Sequence, residues 1–72
     1  MIAVPRRELV TLLAYLQTGS HRRGAHRLGI SESTSRQRIS SLIGRLGVAN
    51  VGQAIWTLRE ELGAELTEGR DP

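Results

Sequence analysis

Apolar residues recur along this chain at helical spacing, in four blocks separated by breaks that contain Gly, Ser or Asn. Ile39, Leu42, Ile43 and Leu46 fall at i, i+3, i+4 and i+7, which predicts one stripe of a helix over 32–46. Ser31 is placed to cap its first turn, and Glu32 sits at the positive end of its dipole. Gly29, just before, suits the left-handed residue of a tight turn. That turn would lead out of a helix over 21–28, capped by Ser20, in which only Ala25 and Leu28 can face a core. Gly24 leaves room there for another helix, with Tyr15 or Leu16 expected in the space. Leu9, Val10, Leu12, Leu13 and Leu16, with Ala14 and Tyr15, predict a first helix over 6–17, opened by Pro5 and closed by Thr18 and Gly19. Val51, Ala54, Ile55, Leu58 and Leu62 predict a last helix over 51–62, capped by Asn50 or Gly52 and ended by Gly63. Met1 to Val4 read as a short apolar lead-in, and 64–72 as an acidic, frayed tail. The expected fold is all-α: a single domain over 1–72 whose core lies in 6–62, with four helices and a helix-turn-helix at its centre.

The polar side of the third helix carries the candidate chemistry. Ser33, Arg36, Gln37, Ser40 and Gly44 lie away from the stripe, all small or polar, with no carboxylate among them. Thr34, Arg38, Ser41 and Arg45 flank that face. An amphipathic helix often has nothing more than a solvated side. Short side chains also permit close approach to nucleic acid, and Arg and Gln can read base edges. The preceding turn and the missing acids favour DNA contact. Gly44 either mildly weakens the helix or lets a neighbour approach. Trp56 lies off the stripe of the last helix and is expected to pack against helix 1, with a dimer anchor as the alternative.

Composition narrows the classes. A chain of 72 residues is one domain at most, and its core must be aliphatic, since Tyr15 and Trp56 are its only aromatic residues. There is no cysteine, hence no disulfide and no thiolate chemistry. Arg6, Arg7 and Glu8 interrupt the start as no signal peptide would, and no run has the length of a membrane span. A cytoplasmic location is expected. The net charge is +3 but unevenly spread. Residues 20–46 hold Arg22, Arg23, Arg27, Arg36, Arg38 and Arg45 against Glu32 alone, so +5. Residues 51–72 hold Arg59 and Arg70 against Glu60, Glu61, Glu65, Glu68 and Asp71, so −3. Positive charge thus gathers on the two motif helices, as phosphate binding requires. Every basic side chain is Arg, which suits forked contacts to phosphate and guanine. A GC-rich coding bias gives the same pattern.

His21 and His26, the only histidines, are five apart and off one helical face, so no metal site is expected. No nucleophile motif, phosphate-binding loop or acid–base pair is present, and Glu60, Glu61 and Glu65 read as a solvated face. Neither catalysis nor a cofactor is expected.

The run Leu28-Gly29-Ile30-Ser31-Glu32-Ser33-Thr34, then Ile39, Leu46-Gly47-Val48, Asn50 and Gln53-Ala54-Ile55, resembles the LuxR-type (GerE-like) DNA-binding domain of bacterial regulators. The resemblance covers about 6–62 and is weaker in the first two helices, where two extra residues separate helix 1 from Ser20. It implies a third helix in the major groove of double-stranded DNA. It also implies a homodimer through the fourth helix, where Val51, Ile55, Trp56 and Arg59 stand. The family's base-facing positions fall on Arg36, Gln37 and Ser40. Its phosphate-facing positions fall on Ser33, Thr34, Arg38, Ser41 and Arg45, with Arg22 and Arg23 from helix 2. Ser35 stands where the family usually has Val, Gly24 where it has Ile, Arg38 where it has His, and Val51 where it has Arg. The implied role is a bacterial transcription regulator at the nucleoid, free-standing or part of a longer protein. The alternative is an adaptor of the same fold acting on RNA polymerase or another regulator.

Overall fold

The computed structural model describes residues 3–69. All regular structure among them is helical: α1 (Arg6–Thr18), α2 (His21–Leu28), α3 (Glu32–Leu46), α4 (Val51–Thr57) and α5 (Arg59–Gly69). The first three follow the sequence pattern closely. Ser20, Ser31 and Asn50 each accept a backbone N–H three residues on, from Arg23, Thr34 and Gln53. Gln53 Oε1 in turn accepts from the N–H of Ala49, the residue before the Asn50 cap, at 2.7 Å. Gly29 adopts φ 71°, and the Ile30 N–H bonds back to the Ala25 carbonyl at 3.0 Å, so the chain reverses in one residue between α2 and α3.

The last helix departs from expectation. Residues 51–62 are not one helix: Leu58 leaves helical geometry at φ −102°, and the Arg59 guanidinium donates to the Trp56 carbonyl at 2.8 Å. The apolar repeat runs through this break unchanged, because Ala54, Leu58 and Leu62 are all buried. Gly63 does not end a helix, and 64–69 are not frayed but belong to α5. Positions 70–72 of the expected tail lie outside the described residues. Tertiary contact explains the extension. Glu65 receives two bonds from Arg6, the shorter 2.7 Å, and its side chain is only 12% exposed. It is therefore no part of a solvated acidic face. The Arg6 guanidinium holds its carboxyl below the usual carboxylate range.

Helices α1 and α3 form the centre. α1 packs on α2, α3 and α5, and α3 packs on α1, α2 and α4. Leu12, Ile39, Leu42, Ala54, Leu58 and Leu62 make the dry cluster, rimmed by Leu9, Leu13, Ile43, Leu46 and others. An 18 Å short axis leaves depth for no more than two layers of helices. The space over Gly24 is not filled by the side chain of Tyr15 or Leu16. The backbone of α1 comes so close that a Cβ on Gly24 would lie 3.1 Å from the Ala14 carbonyl carbon and the Tyr15 nitrogen. Gly24 therefore sets the separation of α1 and α2, and through it the placement of the turn before α3.

Candidate nucleic-acid interface

The outward face of α3 follows from its buried one. Ser35, Ile39 and Leu42 point into the protein, which turns Ser33, Arg36, Gln37, Ser40 and Gly44 to solvent. Apart from its own helix, no described residue lies within 4 Å of a Cβ built on Gly44, so its small size serves no packing among the described residues. Thr34 and Arg38 are half-buried on the flank facing α1, beside exposed Ser41 and Arg45. The opposite flank, with Glu32 and Arg36, faces the start of α2, where Arg22 and Arg23 are exposed. Arg22, Arg23 and Glu32 border one groove, and Thr34, Gln37, Arg38 and Ser41 border another.

The arginines differ in their partners. Arg36 donates to Glu32 one turn back at 2.7 Å, an exposed pair of a kind that contributes about 0.3–0.5 kcal/mol and is readily exchanged. Arg45 grips Glu8 of α1 through Nε and Nη2, both at 3.2 Å. Glu8 is 3% exposed, so this pair braces α1 against α3, and the carboxylate raises the Arg45 guanidinium further above its ordinary range. Arg7, Arg22, Arg23 and Arg38 have no carboxylate partner among the described residues. Arg22, Arg23, His26, Arg27, Ile30 and Glu32 border an open groove of about 800 Å³ along α2.

Compared with known proteins, the chain matches no family model, no curated protein and no solved structure. Its function has to be read from residues and geometry.

Two features escaped the sequence pattern. Glu8 lies one turn before Leu12, on the buried side of α1, and that phase was its available signal. His21 gave no such signal. It stacks on Tyr15 with ring centres 4.6 Å apart, and its Nδ1 lies 3.5 Å from the buried hydroxyl of Ser35. The short side chain of Ser35 therefore leaves room for an imidazole. Burial first, then the nearby Arg36, holds His21 below its ordinary value near 6.5, with Glu32 pulling the other way. The unfolded chain then binds this proton more readily than the native one. The His21 contribution to stability is present above the unfolded value and is lost as pH falls from there through the native value. Urea midpoints should drop as the pH is lowered through and below about 6.5, and His21→Gln should remove most of that drop. An equal drop in the variant would assign it to other groups.

At the far end, Trp56 does not pack against α1. It is 68% exposed, with the Arg59 guanidinium 4.1 Å above its ring. Val51 and Ile55 beside it are half-buried. Leu16 is 46% exposed. It borders an apolar groove of about 240 Å³ with Leu13, Ile55, Leu62 and Leu66. No helix among the described residues is long and apolar enough to cross a membrane.

Proposed function

We propose that this chain is a sequence-specific DNA-binding transcription regulator of the LuxR (GerE-like) type. In this reading α3 enters the major groove of double-stranded DNA at the bacterial nucleoid, and the protein is not an enzyme. The observation that carries it is the exposed face of Ser33, Arg36, Gln37 and Ser40, bordered on both flanks by guanidinium groups that have no carboxylate partner among the described residues. Arg36, Gln37 and Ser40 read bases, with Arg36 forked on guanine and Gln37 on adenine or a neighbouring base. Arg22, Arg23, Ser33, Thr34, Arg38 and Ser41 fix the register on phosphates, and Arg45 adds the N–H groups that Glu8 leaves open.

Selection from a random duplex library, followed by titration at two salt concentrations, tests this. Arg36→Ala should lose about 1–3 kcal/mol of discrimination at one base pair of the selected site. Arg22→Ala should weaken selected and scrambled sites alike and flatten the salt dependence. If both variants behaved the same on both sites, the assignment of readers would be wrong.

Dimerisation through α4 belongs to the same reading, with Val51, Ile55, Trp56 and Arg59 at the contact. The exposed Trp56 and Leu16 support it. They equally favour the second reading, a protein-binding adaptor that docks this end on polymerase or another regulator. A Trp56→Ala variant separates the two. Loss of two-fold stoichiometry on DNA supports the dimer, whereas tight protein capture without DNA affinity supports the adaptor.

A further inference from the structure

The start of α1 and the near flank of α3 enclose a groove of about 250 Å³ lined by Arg7, Glu8, Thr34, Gln37, Arg38 and Ser41. We propose that this groove seats one backbone phosphate of the DNA, held between Arg7 of α1 and Arg38 of α3. The proposal rests on the reading of α3 as the DNA-contacting helix. It adds a contact from α1, a helix outside the helix-turn-helix.

Charge comes first. Glu8 is the only acid in the lining, and both of its oxygens are committed to Arg45. With that pair neutral, Arg7 and Arg38 leave the groove at +2, and neither guanidinium has a carboxylate or other side-chain partner among the described residues. Uncommitted guanidinium groups facing one concavity are what a phosphate recruits, through short, charge-assisted bonds.

Neutral donors come next. Thr34 accepts a 2.8 Å bond from the Ser31 hydroxyl, so its own hydroxyl proton is available to a ligand. Ser41 is exposed, and the Gln37 amide stands where the groove meets the base-facing side. Rigidity comes from Glu8, which is nearly dry and ties α1 to α3 through Arg45. The two walls therefore hold their spacing before any ligand arrives. Arg22 and Arg23 belong to the other flank of α3, so the seat gives the protein a hold on the second wall of the major groove.

The test is fluorescence anisotropy with a short mixed-sequence duplex, between about 0.05 and about 0.2 M NaCl. It is run on the whole chain, on Arg7→Gln, on Arg38→Gln and on the double variant. Arg7 is exposed, and its replacement leaves the core untouched. Each single variant should bind several-fold more weakly. The double variant should flatten the slope of log affinity against log salt by about 0.9, the effect of one phosphate, or about eightfold in affinity at 0.1 M. Undiminished affinity in Arg7→Gln, with a normal loss in Arg22→Gln as the control, would overturn the seat and leave the α3 reading standing. A double-variant loss of about 1.8 would mean two separate phosphates and would overturn the shared seat. No binding by the unaltered chain would instead remove the DNA reading itself.

Discussion

Leu42→Ala is expected to leave the chain largely unfolded at room temperature. Leu42 is fully buried on α3, in the dry cluster with Leu12, Ile39, Ala54, Leu58 and Leu62. Truncating a buried Leu costs about 2.7–5 kcal/mol, through lost transfer energy and the cavity left behind. A core in a chain this short rarely supplies more than about 3–5 kcal/mol in total. Tyr15 borders the buried cluster but is held in ring contact with His21, so it is not free to collapse into the gap. Circular dichroism should show the loss of most helix, and the loss should extend to α1 and α2, because α3 packs on both. A cooperative melt within a few degrees of the parent would show that the helices support one another less than their packing implies.

Gly24→Val is expected to have the next largest effect, about 2–3 kcal/mol, from overpacking against a rigid neighbour. The three atoms nearest a Cβ at this position are all backbone atoms of α1, at 3.1 to 3.3 Å, and backbone cannot turn aside as a flexible side chain can. Two further methyl carbons force α1 and α2 apart and pull His21 from Tyr15. Gly24→Ala separates this effect from helix propensity. Alanine gains about 1 kcal/mol as a helix former, and here crowding should offset most of it. If Gly24→Ala stabilised by the full amount and Gly24→Val were tolerated, the close approach of α1 and α2 would not matter to the fold. Urea denaturation of the three proteins decides between these outcomes.

The sequence made some of this readable and hid the rest for identifiable reasons. Ser20, Ser31 and Asn50 announce helix starts because each has a side-chain oxygen that can take an orphan N–H, and all three do so. The stripe from Ile39 to Leu46 fixed which side of α3 turns outward. The break at Leu58 was invisible, since the apolar repeat continues through it and the change lies in one residue's backbone. The reach of α5 depends on Arg6 and Glu65, partners 59 positions apart that no local pattern links. Trp56 misled because size and apolarity suggest burial, whereas Arg59 covers its ring from outside. For the candidate site, the helical phase found the outward residues. It could not find Arg7, which reaches the flank of α3 only through the packing of α1.

One measurement tests the central claim most directly: two-dimensional amide NMR of labelled protein titrated with a short mixed-sequence duplex at low salt. The largest shifts are expected at Ser33, Arg36, Gln37 and Ser40 of α3 and at Arg22 and Arg23 of α2, and they should vanish when salt is raised. Spectra that stay unchanged, or that move only along α4 and α5, would contradict it.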